Sequence, residues 1–234
     1  LFFAWTKLRF EGRTLDTWNQ KKQQARFAPG AIRQTFSGPA AAGFVADLDL
    51  YDSTAPDGEK RMLTETWRVT VYGGAADHFL IDLELTQQPE ASARLQVRKY
   101  HYGGMAIRGS DLWRSQHADA EFGFLTSEGR SRQDGNHTRP HWVDMHGKLN
   151  QRLTGVTIFS HPDNFRSPQP VRLHPKEPYF CFAPMVLGDF GFPEKKPYRL
   201  AYRIMVHQGK PDTERIERIW HHYQSPPTVR DLKP

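Results

Sequence analysis

Cysteine is nearly absent: Cys181 stands alone among 234 residues. That excludes an internal disulfide and a paired Cys-x-x-Cys zinc site. No run of about 18 apolar residues occurs, so no helical membrane span is expected. His-Glu-x-x-His is missing, as are internal repeats and low-complexity tracts. An initiator methionine is lacking too, and Leu1-Phe2-Phe3-Ala4-Trp5 reads like a strand already under way, so the chain is expected to lack its natural N-terminal region. A signal peptide is then not open to judgement; a periplasmic or secreted location is favoured over the cytoplasm. The charge excess is small. A formal +6 is spread along the chain with acids interleaved, which describes a mildly basic surface and argues against a nucleic-acid partner. With 38% hydrophobic and 12% aromatic residues the composition is that of a folded protein, and 234 residues suit one domain spanning 1–234.

Period-two alternation, broken by Gly, Pro and Asp-rich turns, is plentiful and predicts antiparallel sheet. From Leu63 to Val71 the residues Leu63, Glu65, Trp67, Val69 and Val71 share one face. Gly73-Gly74 ends that strand, and Phe79, Ile81, Leu83 and Leu85 then alternate as the second arm of a hairpin. Further strands are expected at Val45 to Tyr51, Arg94 to Tyr100, Met105 to Arg108, Thr154 to Ser160 and Tyr198 to His207. Short connections between them leave little room for crossover helices. Ser110 to Pro140 is polar and reads as a long surface excursion. At the other end Asp212 can cap a helix whose Ile216, Ile219, Trp220 and Tyr223 form one apolar stripe. The fold class is therefore all-β: an antiparallel β-sandwich with one C-terminal helix.

Polar chemistry concentrates between Thr154 and Met185. There an apolar strand delivers His161-Pro162-Asp163-Asn164-Phe165-Arg166, followed by Arg172, His174 and Glu177. Prolines 162, 168, 170, 175 and 178 forbid a helix and stiffen the loop. Acid–base catalysis needs a proton carrier near neutrality and a cation or amide for a developing anion. His161 and Arg166 supply those types, with Asn164, Arg172 and His174 placed to bind substrate. Asp163 is as well explained by turn formation. Two further clusters end or begin strands. Tyr100-His101-Tyr102-Gly103-Gly104 leads to Arg108, a potential clamp for a carboxylate or sugar hydroxyl. His141-Trp142-Val143-Asp144 offers a ring face beside a carboxylate, which suits a sugar, although Trp142 reads equally well as core. Eleven histidines raise the question of a metal, and His101, Asp144, His161 and His174 are the residues to ask it of. No spacing enforces one, so no metal ligand is assigned and no cofactor is named. Cys181, between aromatics, is expected to be a buried neutral thiol.

These blocks, with Gly103-Gly104-Met105-Ala106-Ile107-Arg108, Trp142-Val143-Asp144, Gly155 through Asn164 and Tyr202 through Gly209, resemble the PmoA-like family of bacterial proteins, labelled methane oxygenase. The resemblance implies a β-sandwich of the sugar-mutarotase kind, bacterial carbohydrate use, and a histidine pair upstream of Leu1. A membrane copper oxygenase is not implied, because no span is present. The expectation is a carbohydrate-active enzyme of lyase, hydrolase or epimerase type. In it His161 and His101 carry protons, Asp144 orients or accepts one, and Arg108 and Arg166 hold oxygens of a small-molecule or oligosaccharide ligand. A non-catalytic carbohydrate-binding module is the alternative. A metal-dependent oxygenase or hydrolase is the third.

Overall fold

The computed structural model describes residues 1–74, 77–90, 94–114, 121–192 and 196–225. Strands in chain order are β1 (Phe2–Ala4), β2 (Leu8–Phe10), β3 (Arg13–Leu15), β4 (Ala25–Ser37), β5 (Ala41–Asp52), β6 (Lys60–Tyr72), β7 (His78–Pro89) and β8 (Gln96–Val97). Then follow β9 (Gly104–Arg108), β10 (Phe122–Thr126), β11 (Trp142–Leu149), β12 (Arg152–Ser160), β13 (Val171–Leu173), β14 (Tyr179–Phe182), β15 (Phe190–Gly191), β16 (Tyr198–Gln208) and the helix α1 (Thr213–Gln224). They form three antiparallel sheets: a large one ordered β10-β11-β12-β16-β7-β6-β5-β4, and two of four strands, β1-β9-β14-β13 and β15-β8-β2-β3. The protein is all-β with one C-terminal helix, a sandwich in which both small sheets cover the same face of the large one.

Strand parity explains the layering. In register, Val143 and Met145 of β11, Val156 and Ile158 of β12, Tyr202 and Ile204 of β16, and Leu83 and Leu85 of β7 point inward. They meet Phe3, Met105, Phe180 and Phe182 of the small sheets, with Phe124 against Phe180 at 6.0 Å and Phe182 against Tyr202 at 5.7 Å. Each such side chain, fully buried, stabilises by about 1.5–3 kcal/mol before chain entropy is counted. The outer face of the large sheet carries Trp142, Phe159 and Met205, and α1 lies on it through Ile216, Ile219, Trp220 and Tyr223. Asp212 caps that helix by accepting from Arg215 N at 3.0 Å.

Several expectations need correcting. The Ser110 to Pro140 excursion contains a strand, β10, which pairs with β11 from Phe122↔Gly147 to Thr126↔Val143; residues 115–120 of it lie outside the described residues. The strand expected from Arg94 to Tyr100 shrinks to β8, because only Gln96 and Val97 find partners, in β2 and β15. Nothing in the alternation marked β4, whose inward positions are mostly exposed and so need not be apolar. Among the described residues no helix is long and apolar enough to cross a membrane.

Candidate functional site

The outer face of the sheet β1-β9-β14-β13 gathers four of the residues singled out in the sequence. Arg108 stands opposite Tyr179, and Arg172 opposite Cys181, so the period-two rule puts both guanidiniums and the phenol on one face. Ala106 and Cys181 form a fully buried floor, and burial pushes the Cys181 thiol up to about 12. Rings line the walls. Phe2 meets Trp18 at 4.7 Å, Trp18 meets Tyr102 at 5.1 Å and Tyr179 at 6.3 Å, and His174 lies tilted on Tyr179 at 4.6 Å. Arg108 sits over the Tyr179 ring, 5.2 Å from its centroid.

Local hydrogen bonds fix the polar atoms. Arg172 Nη1 donates to Asn136 Oδ1 at 3.1 Å, and Asn136 Oδ1 also accepts from Leu173 N. Arg172 Nε is buried with no hydrogen-bond partner among the described residues. His174 Nδ1 accepts from Glu177 N at 2.7 Å and Lys176 N at 3.2 Å, so the proton of the neutral ring is on Nε2. His137 Nε2 donates to His101 O at 3.2 Å, and the His101 ring packs between Tyr100 and Tyr102. Burial, and then the nearby positive charge of Arg172, lowers the pKa of both His101 and His174, which favours neutral rings at pH 7. Burial likewise pushes Tyr179 up to about 12, keeping it a phenol. The face therefore presents two cations, two neutral imidazoles and aromatic walls.

The remaining candidates lie elsewhere. Arg166 donates Nη1 to Pro184 O (2.8 Å) and Gly188 O (2.7 Å), and Nη2 to Asp189 O (3.1 Å), pinning the loop after β14. Asn164 bridges Ser160 Oγ and both backbone groups of Ala201. His161 turns its ring edge to Tyr223 of α1 at 5.1 Å and accepts from Asp163 N, as a turn residue does. Trp142 lies under α1, its Nε1 donating to Glu217 Oε1 at 2.9 Å. Asp144 is wholly buried on the outer face of the large sheet, the same side as Trp142. Thus His101, Arg108, Arg172 and His174 come together, whereas Asp144 and His161 are on the far side of the sandwich. Parity decides this, because β11 turns residues 142, 144 and 146 toward α1.

Nothing in the local pattern of the sequence marks Trp18, Tyr179 or Asn136 for this face; only the fold brings them to Arg108 and Arg172. His146, two residues after Asp144 and so on its face, carried a readable signal. Among the described residues no three His, Cys, Asp or Glu side chains are grouped to hold a metal ion.

No curated protein and no solved structure matches the chain. A family model matches residues 1–221, nearly the whole length, and it is not that of a PmoA-related family. This corrects the resemblance to PmoA-like proteins; the motifs quoted for it are short strand-and-turn blocks, and they do not define that family. The carbohydrate identity it implied loses its basis as well, so ligand chemistry has to be argued from the site. The chain belongs to DUF6807, a family of unknown function.

Proposed function

We propose that the outer face of β1-β9-β14-β13 binds a small ligand carrying an oxyanion and performs acid–base chemistry of lyase, hydrolase or epimerase type on it. One observation carries the reading. Arg172 Nε is a buried cationic donor without a partner among the described residues, and such a group costs roughly 1–3 kcal/mol unless something accepts from it. Its planar fork suits a carboxylate or similar oxyanion. Arg108, parked on Tyr179, is a second cation on the same face. The rings of Trp18, Tyr102 and Tyr179, inclined to one another at 67° and 52°, offer an apolar wall for the hydrocarbon part of the ligand. His101, neutral at pH 7, is the candidate base, and His174, with its proton held on Nε2, the candidate donor.

Titration calorimetry with cyclohexanecarboxylate, its neutral amide and acetate tests this. Cyclohexanecarboxylate is expected to bind most tightly, and Arg172→Gln to weaken it by roughly 1.5–3 kcal/mol, about 10- to 150-fold. Equal affinity of wild type and Arg172→Gln for every probe would sink the proposal. A non-catalytic binding role predicts the same affinities but no turnover, and no change in ligand chemistry in His101→Gln or His174→Gln.

A further inference from the structure

On the opposite side of the molecule, beneath one end of α1, Asp144 is the hub of a second polar cluster. Its Oδ1 lies 2.8 Å from His146 Nδ1; its Oδ2 lies 2.8 Å from His207 Nε2 and accepts from Thr157 Oγ1 at 2.7 Å. Burial alone would raise the pKa of this carboxyl, but the hydrogen bonds from His146 and His207 hold it below the ordinary range. An ionised carboxylate only accepts, so the facing ring nitrogens both carry protons. In a neutral His146 ring that leaves Nε2 as an unprotonated base with a carboxylate behind it, the relation that orients the histidine of a hydrolase triad.

Two glycines make room for the rings. A Cβ on Gly123 would come within 2.6 Å of His146 Nε2, and one on Gly155 within 2.4 Å of His207 Nε2. The two imidazoles then differ in access. His207 is closed, its side chain 3% exposed, whereas His146 is 23% exposed and opens into a cavity of about 610 Å³. Leu125, Leu153, Phe124 and Pro211 give that cavity an apolar lining, with Lys210 and Glu121 as its charges. Glu121 is neutralised by Lys148 at 2.6 Å, and Lys210 makes no ion pair among the described residues. The outstanding charge at the cavity is therefore positive.

We infer that Asp144 and His146 form a second, independent binding site, in which His146 Nε2 accepts a hydrogen bond from the hydroxyl of a small hydroxycarboxylate with an apolar hydrocarbon body, whose carboxylate is held by Lys210. His146 is the residue that touches ligand; Asp144 and Thr157 position it.

The probe is 2-hydroxy-4-methylpentanoate, titrated into the intact protein while the imidazole Cε1–H resonance of His146 is followed. A saturable shift in wild type that is lost in Lys210→Gln is expected. Per-histidine acylation by diethylpyrocarbonate, read by mass spectrometry, supplies a second readout. His146 is expected to react faster than the exposed His221, to be protected by the probe, and to slow selectively in Thr157→Val, which loosens the carboxylate without removing it. No saturable shift, or acylation of His146 no faster than that of His221, overturns the inference. The wild-type shift and the wild-type acylation rate do not depend on whether an Asp144 variant folds.

Discussion

Glu65 has an acid's side chain in a core position. It is 2% exposed on the inner face of β6, where Oε1 accepts from Gln87 Nε2 at 2.6 Å and Oε2 from Trp67 Nε1 at 2.9 Å. Gln87 Oε1 in turn accepts from Trp5 Nε1 at 3.1 Å, so β6, β7 and the segment just after β1 share the network. Burial dominates these hydrogen bonds and pushes the Glu65 carboxyl from 4.5 up to about 7. Its folded value is thus above its unfolded one. Below the unfolded value both states hold the proton and its stabilising contribution is complete; as pH rises toward 7 the unfolded chain releases the proton first and stability falls. The loss approaches about 1.4 kcal/mol per pH unit, on the order of 3 kcal/mol across the window. Urea denaturation of wild type and Glu65→Gln at pH 5 and pH 8 checks this, with wild type expected to lose about 2–3 kcal/mol relative to the variant between the two pH values. Alternation alone placed Glu65 among Leu63, Trp67, Val69 and Val71. Gln87 on β7, and Trp5 behind it, are distant in sequence and left no mark there. Arg166 and Asn164 teach the converse. Their polar types were legible, but the backbone carbonyls and amides they hold come from segments that only the fold brings near.

At the scale of elements, the features read best were those written in local periodicity. Helix α1 begins at its Asp212 cap and docks by the expected stripe, and the Leu63–Leu85 hairpin pairs Val71 with Ile81 as its two runs suggest. The candidate face could be read only in part. Arg108 and Arg172 were visible as types, yet their meeting depends on β14 lying between β9 and β13, a pairing across some seventy residues. Gly104 shows how tight that pairing is. Its φ is +87°, and a Cβ there would come within 2.3 Å of Phe182 O on the neighbouring strand. Both the left-handed backbone and the contact forbid a side chain. Gly104→Ala is therefore expected to destabilise by on the order of 3 kcal/mol or more, seen as a lower denaturation midpoint. Because Tyr179 and Cys181 ride on β14, the same substitution should also weaken ligand binding at the arginine face.

For the whole molecule, the sheet order matters more than the strand count. In the large sheet β10, β11 and β12 form one consecutive block, β4 to β7 form another, and β16 is inserted between them. It pairs with β12 from Thr154↔Gln208 to Ser160↔Tyr202 and with β7 from Tyr198↔Gln87 to His207↔His78. The Arg203–Asp82 pair, bonded at 2.6 and 2.8 Å, ties residues 121 apart. A chain ending at residue 197 therefore leaves two inner strands as bare edges, and is expected to show no cooperative unfolding transition by circular dichroism and to sediment as aggregate. None of this order is written in periodicity, which is why the class was legible from the residues and the topology was not.

The late arrival of β16 also bears on how the protein is made. On the ribosome, β7 and β12 emerge well before the strand that joins them, so both blocks wait with open hydrogen-bonding edges until about residue 208 has cleared the exit tunnel. The nascent chain thus carries the β7 edge unpaired through roughly 110 further residues of synthesis, and the β12 edge through roughly 40, open to chaperones or to its neighbours on a polysome.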